Sequence, residues 1–354
     1  MRILHITPDF NYACGRSYYV FLLLKYFQKR GHYVHLLTNC GDSLCRLNEK
    51  SIPSTVIDSL HSKSPFSISK NISRIKKIII ENHIDIIHTH HRFSEFLAMH
   101  CRGSAKTKKI KTVFTALSIL KRRYKIEFRS DEIIAVSNAV KKMLVEKFFV
   151  DWSKINVIYN FTDTNEIHEI ELLASVLKNH GSTFNILSIG RFHHEKNFET
   201  LLEAIKIIND PLIKATIVGD GEDKKIYKNY IKEHELNVEL IEPQKDLLQY
   251  FFKADLCVLT STRDPFPNFM LQAGLHNKIF IGANVDGIGE LIKDGINGFL
   301  FSSKNAKELA EKIFYIKNNF SKLNSIRHNL HEDVINNYTQ EFIIPKIEKV
   351  YQGK

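Results

Sequence analysis

The sequence has no CxxC pair, and its five cysteines (Cys14, Cys40, Cys45, Cys101 and Cys257) are an odd number. That pattern argues against a disulfide framework and against a zinc site, and it points to a reducing compartment, the cytosol. Long apolar runs are missing too. The richest stretch, residues 18–24, ends at Lys25, far short of the roughly 20 apolar residues that a spanning helix needs. The opening MRILHIT has too short an apolar run, and no small-residue cleavage site, for a leader peptide, so it reads as a strand. No GxGxxG follows the first strand. GDGEDK at 219–224 carries Lys224 where a third glycine would stand, and no GK[ST] occurs. These absences disfavour a nicotinamide dehydrogenase and a P-loop enzyme. Short-period repeats and low-complexity tracts are absent as well.

What is present is a chain of 354 residues, 44% apolar and 25% charged, long enough to bury two cores of ordinary size. Short β-branched runs alternate with helical patterns. RILHIT, HYVHLLT, DIIHTH, KTVFT and EIIAVS read as buried strands. Between them, residues 18–29, 68–82 and 139–148 repeat apolar residues every three or four positions, as amphipathic helices do. After INVIYN the rhythm weakens, and residues 161–182 read as a linker. It resumes with FNILSIG, KATIVGDG, NVELIE, DLCVLTS and KIFIGA. The expectation is α/β: two successive doubly wound parallel-sheet units, residues 1–165 and 166–337. The detached amphipathic stretch at about 338–354 is expected to pack back onto the first. Open α/β sheets bind ligands at the carboxyl ends of their strands, so residues just after each strand are the candidates.

Three such segments stand out. GRFHHEKN (190–197) ends a strand, supplies the cations Arg191 and Lys196 and leads into a helix near Asn197, a combination suited to a diphosphate. In STRDPFPNFMLQAG (261–274), a loop stiffened by two prolines precedes a helix starting near Asn268. Asp264 and Gln272 are expected there as an exposed polar pair able to bond sugar hydroxyls. In NVDGIGELIKDGINGFLF (284–301), Gly287 and Gly289 would bring backbone amides close to an anion. His88, His90 and His91 of HTHH read as a strand-end polar cluster in preference to a metal site, because no carboxylate set accompanies them.

The net charge is +11, from 50 Lys+Arg against 39 Asp+Glu. Within residues 102–125 stand nine of the basic residues and no acid: Arg102, Lys106, Lys108, Lys109, Lys111, Lys121, Arg122, Arg123 and Lys125. With Tyr124 and Phe128 nearby, this patch is read as a candidate contact for an anionic membrane surface. No recognition motif for nucleic acid accompanies it, and none is expected as a partner.

Taken in order, RGHYVHLLT, DIIHTHH, EIIAVSNAVKKML, INVIYNFTD, LSIGRFHHEKNFETLLEA, IVGDGED, FFKADLCVLTS, DPFPNFMLQAG and DGIGELIKDGINGFLF resemble the retaining glycosyltransferases of family four over nearly the whole chain. The resemblance implies the GT-B fold, two Rossmann-like domains facing across a cleft. It also implies a nucleotide-sugar donor held mainly by the C-terminal domain, a glycan or lipid-linked acceptor held by the N-terminal one, and no metal or other cofactor. By this resemblance Arg191 and Lys196 hold the donor diphosphate, and Asp264 and Gln272 stand where the family has two glutamates. Asn268 and the turn at Cys14, Gly15 and Arg16 lie near the donor, and Gly287 and Ile288 form the turn approaching its sugar. Leu117 replaces the family's cleft histidine, which makes His88, His90 and His91 acceptor-side candidates. The function implied is sugar transfer in bacterial lipopolysaccharide, capsule or exopolysaccharide synthesis, on the cytoplasmic face of the membrane. A nucleotide-sugar-binding pseudoenzyme and a sugar-nucleotide epimerase are the alternatives.

Overall fold

The computed structural model describes residues 1–103, 110–122, 127–165 and 183–353. They form two units, Met1–Asn160 with Gln340–Lys354, and Phe161–Thr339. The first holds seven parallel strands: β1 (Arg2–Ile6), β2 (Tyr33–Thr38), β3 (Ser54–Val56), β4 (Ile86–Thr89), β5 (Lys111–Ala116), β6 (Glu132–Ala135) and β7 (Ile155–Val157). Their spatial order is β3-β2-β1-β4-β5-β6-β7. The second holds β8 (Phe184–Ile189), β9 (Ile213–Val218), β10 (Val238–Ile241), β11 (Leu256–Leu259), β12 (Ile279–Ala283) and β13 (Phe299–Phe301), all parallel and ordered β10-β9-β8-β11-β12-β13. Each is a doubly wound sheet whose order reverses beside its first strand, between β1 and β4 and between β8 and β11. Ligands of such sheets bind at that reversal, outside the carboxyl ends.

The strands form because helices cover both sheet faces, so runs such as Ile3, Leu4 and Ile6 are fully buried. β3 escaped the sequence pattern: it has three residues, and Ser54 and Val56 are exposed. Helix Arg92–Met99, only eight residues long, also gave too short a period to read. The helices Pro65–Glu81, Asn138–Glu146 and Ala306–Asn319 are capped by Ser64, Ser137 and Asn305, whose side chains accept first-turn N–H groups.

The last helix, Gln340–Gln352, belongs to the first unit. Ile343, Ile344, Ile347, Val350 and Tyr351 are its buried face, and the Tyr351 ring lies 5.0 Å from that of Phe27. Glu348 reinforces the contact by pairing with Arg30 and His32, each at 2.7 Å. No helix among the described residues is long and apolar enough to cross a membrane.

In the second unit an aromatic trio anchors the loop after β8. Phe192, Phe198 and Tyr227 pack edge to face with centroids 5.6–5.8 Å apart. Phe192 points inward while its neighbour Arg191 faces water. Gly219, just after β9, makes this loop arrangement possible, because a Cβ there would sit 2.0 Å from the Gly190 carbonyl oxygen. Gly219→Ala is therefore expected to destabilise the protein by about 1–3 kcal/mol. At Gly289 an added Cβ meets only the end of the Asn284 side chain. Gly289→Ala should cost less, and equal denaturation midpoints for the two variants would contradict this packing.

Candidate active site

The loops that follow β8, β11 and β12 meet at the reversal of the second sheet. After β8, Lys196 Nζ lies 2.5 Å from Asp264 Oδ2 on the loop after β11. The backbones are joined as well. Thr262 N donates to the Glu195 carbonyl (2.8 Å), Thr260 Oγ1 to the Lys196 carbonyl (3.0 Å), and Asn197 Nδ2 to the Thr260 carbonyl (3.2 Å). The loop after β12 supports Asp264 from the other side. Asp286 accepts from Asp264 N at 3.0 Å and from Arg263 Nε at 3.1 Å, and Gly287 N donates to the Asp264 carbonyl at 3.0 Å. Asp264 is thus held by its backbone and by Lys196, and Ser261 Oγ adds a 3.3 Å bond.

Two helices start here, Phe198–Ile208 and Asn268–Leu275, and neither N-cap residue, Asn197 or Pro267, offers a side-chain acceptor to the first turn. This differs from the capped helices described above. Asn197 instead adopts a left-handed backbone (φ 52°) and turns its amide to Thr200 and Thr260. Helix N-termini, the ammonium of Lys196 and the water-facing guanidinium of Arg191 together make an electropositive strand end, able to balance charge on a phosphate group.

Several residues stand differently from the sequence expectation. Asp264 and Gln272 are buried, 4% and 9% exposed, and not an exposed pair. The ion pair draws the first inward, and Gln272 falls on a short helix that is buried on nearly every side. Of the expected pair Gly287 and Gly289, Gly287 does not present a free amide to an anion, because its N–H is used by the Asp264 carbonyl. In the turn at Gly287 and Ile288 the Ile288 N–H is likewise used, by the Val285 carbonyl (3.0 Å). Gly287 is needed for closeness: a Cβ there would lie 1.7 Å from the Pro265 carbonyl oxygen. Ile288 is wholly buried and packs against Gly282. Asn268 is the first residue of its helix. Asp286, which no motif singled out, orients Asp264. Its only sequence sign was its place in the turn NVDG.

In the first unit, Gly15 opens helix Gly15–Lys29 and does not sit in a loop, while Arg16 pairs with Asp9 at 2.7 Å. His91 caps helix Arg92–Met99, accepting from Phe93 N at 3.3 Å through Nδ1. Burial and the nearby Arg16 charge lower its pKa to about 4. His88 and His90 do not line an open acceptor surface, since both are buried, together with His5 from the neighbouring strand. His5 Nδ1 and His90 Nε2 are 3.1 Å apart, and His88 bonds Tyr351 Oη and Thr115 Oγ1, each at 2.6 Å. Burial holds His5 down to about 3 and keeps His88 and His90 well below the usual histidine range. The three rings are close enough to share an ion. No carboxylate joins them in that group, and burying a divalent charge among neutral rings alone is costly.

The basic stretch at 102–125 is less bare in space than in sequence. Arg102 pairs with Asp131, and Lys111 with Glu132 at 3.8 Å. Phe128 is buried against Phe114 and Phe148. Lys121 and Arg122 are exposed, whereas Lys106, Lys108, Lys109, Arg123, Tyr124 and Lys125 lie outside the described residues.

Two doubly wound parallel sheets, the second with a cationic, partly buried site at its reversal, define the GT-B fold. Residues 15–166 match the model of Glycosyltransferase Family 4, and residues 171–333 match that of Glycosyl transferases group 1. The chain belongs to this family of glycosyltransferases. It is 25% identical over 323 residues to an Escherichia coli UDP-Gal:alpha-D-GlcNAc-diphosphoundecaprenol alpha-1,3-galactosyltransferase, covering 80% of this chain and 82% of that one. Among solved structures, a glycosyltransferase from Rickettsia africae matches with a TM-score of 0.82 at 23% identity, over 99% of this chain and 98% of that one. Anabaena HepE in complex with UDP and glucose matches with a TM-score of 0.83 at 20% identity over the full length of both.

The buried histidines carry a pH dependence. Their folded pKa values lie below the unfolded value near 6.5, so as pH falls the unfolded chain takes up protons that the folded chain refuses. Stability is complete above about pH 7 and declines below about 6.5. From pH 7.5 to 5.5 each such ring should cost on the order of 1 kcal/mol. Denaturant midpoints should fall over that interval, and His91→Gln should flatten the fall by one ring's share. An unchanged profile in that variant would show that His91 titrates alike in the folded and unfolded chains.

Proposed function

We propose that the protein transfers a sugar from a nucleotide-sugar donor to a glycan or lipid-linked acceptor in the synthesis of a bacterial surface polysaccharide, with retention of anomeric configuration. The observation that carries this reading is the Lys196–Asp264 pair, set beside Arg191 and two helix N-termini at the reversal of the second sheet. The bond from the sugar C1 to the diphosphate oxygen breaks with its electrons leaving on the diphosphate. Lys196 and Arg191 would stabilise that developing charge, where electrostatic preorganisation lowers a barrier most. The acceptor hydroxyl bonds to C1 and gives up its proton to the departing diphosphate oxygen. Asp264 would orient the donor sugar, Gln272 and Asn268 the nucleoside side of the donor. Gly287 and Ile288 would shape the loop behind Asp264. With Lys196 and the helix ends balancing charge, no metal or other cofactor is required.

Several related proteins support the choice of donor and product. Anabaena HepE is solved with UDP-glucose, the Escherichia coli relative is named for a UDP-galactose donor and a diphosphoundecaprenol acceptor, and a Staphylococcus aureus relative is named for capsular polysaccharide biosynthesis. We place the acceptor on the first unit, near His91, with Gly15 and Arg16 on the donor side, and the protein at the cytoplasmic face of the membrane that carries a lipid-linked acceptor.

Thermal unfolding with UDP, GDP, ADP and CMP and their sugar conjugates tests the donor site. A ligand at about 100 times its Kd adds roughly 2.7 kcal/mol, and UDP conjugates are expected to give that gain. Lys196→Ala should abolish most of it. Stabilisation that survives Lys196→Ala would move the diphosphate elsewhere. Conversion of a free UDP-sugar without acceptor would favour an epimerase.

A further inference from the structure

Outside the residues discussed so far, the first unit carries a turn of unusual composition. It joins helix Asn138–Glu146 to β7 and holds Phe149, 74% exposed, and Trp152, 69% exposed. Water-facing aromatics of that size are costly, and here the backbone adds to the cost. Phe149 has φ 56°, the left-handed conformation in which a glycine commonly ends a helix. Nor is the turn loose. Phe149 N donates to the Val145 carbonyl (3.2 Å), Val150 N to the Leu144 carbonyl (3.0 Å) and Ser153 N to Asp151 Oδ1 (3.0 Å). Beneath it, buried Phe148 packs on Phe128 with centroids 5.0 Å apart. The fold therefore presents the two rings on a firm base.

A second observation supplies the charge. Lys147 Nζ donates to the Leu120 carbonyl at 3.1 Å, and Leu120 N lies 2.9 Å from Met143 Sδ. Leu120, followed by the exposed Lys121 and Arg122, is thereby tied to the helix end that leads into the aromatic turn. Lys142, Lys147 and Lys154 are exposed around it, against Glu146 and Asp151, and the Asp151 carboxylate is occupied by its own turn. We propose that this face docks on an anionic bilayer, with Trp152 and Phe149 entering the headgroup region and Lys121, Arg122, Lys147 and Lys154 contacting lipid phosphates. Lysine favours this partner over a protein. Protein interfaces are depleted in it, whereas at membrane surfaces its stem lies along the apolar boundary and its ammonium reaches the headgroups. Tryptophan likewise concentrates at the membrane–water boundary, where one part of the ring is wet and the rest apolar. The proposal uses no residue of the donor site and does not rest on that assignment.

The chain has one tryptophan, so its fluorescence reports this face alone. Added to the full-length protein, phosphatidylcholine vesicles containing phosphatidylglycerol should shift Trp152 emission to the blue and shield it from iodide. Pure phosphatidylcholine should do so far less. Sedimentation with the anionic vesicles should weaken in about 1 M salt, where the Debye length is about 3 Å. It should drop about fivefold for Lys121→Gln or Lys147→Gln, and at least about tenfold for Phe149→Ser with Trp152→Ser. The nucleotide thermal shift should be unchanged in that double variant, which shows it is folded. Retention with unshifted emission would mean another surface binds, and no retention would mean the face does not dock on lipid. Either result overturns the proposal. So would self-association without lipid that the double variant abolishes, which would assign the face to a second copy. A failed nucleotide shift alongside a positive vesicle result would leave the docking face standing.

Discussion

The ion pair between Lys196 and Asp264 is the contact on which the second unit's strand ends depend. Its two residues follow β8 and β11, neighbouring strands on either side of the sheet's reversal, and the Asp264 side chain is nearly buried. Withdrawing two charges from water is rarely a net gain in stability, so such a pair is poor evidence of a stabilising device. Its effect is on position. With the pair formed, the backbone bonds from Thr260, Thr262 and Asn197 can close the two loops upon each other, and Asp286 fixes the third. Removing Lys196 would leave the buried Asp264 carboxylate without its counter-charge, which is the costly case. The loops are thus held in one arrangement by a contact that tolerates no partial version.

Glycines permit the same arrangement sterically. Gly219 lets the loop after β9 pass under the Gly190 carbonyl, and Gly287 lets the loop after β12 pass under the Pro265 carbonyl. Both act by the absence of a Cβ and not by an unusual φ, since neither has a positive φ. Phe192 completes the base by filling the aromatic trio, which leaves its neighbour Arg191 exposed, while Lys196 turns to Asp264. Polar geometry, close backbone passage and apolar anchoring each constrain a different loop, and they agree on one conformation.

The fold was legible in the sequence because buried parallel strands read as β-branched runs and because their neighbours are amphipathic. β3 was not, since an exposed three-residue edge strand has no period to detect. The site was legible as segments, not as contacts. Strand-end position drew attention to Arg191, Lys196, Asp264 and the turn at Gly287, but nothing in the order of residues says that Lys196 reaches Asp264. Neither does it say that Asp286 accepts the Asp264 amide. The histidines show the limit most clearly. HTHH suggested a polar strand end, whereas the ring that joins His88 and His90 comes from β1, as His5, through a register that only pairing of the strands defines. The run of basic residues was legible only in part for a related reason: the acids facing Arg102 and Lys111, Asp131 and Glu132, come from the next strand's entry, whereas Lys121 and Arg122 stay exposed.

The two reversals differ in charge, and that difference bears on the proposed division of labour. At the second, the exposed Arg191 and two helix ends without side-chain caps stand beside the Lys196–Asp264 pair, a site suited to a polyanion such as a nucleotide diphosphate. At the first, Arg16 is engaged by Asp9, and desolvation keeps His5, His88, His90 and His91 neutral at physiological pH. His91, with Nδ1 accepting from the backbone, carries its proton on Nε2 and can donate one hydrogen bond without adding a charge. Neutral donors and acceptors match hydroxyl groups, which are uncharged and bond in both senses. A sugar acceptor at the first site and a diphosphate donor at the second would each meet the electrostatics of its own unit. An exchange of the two would set a polyanion against rings that burial prevents from taking up a proton.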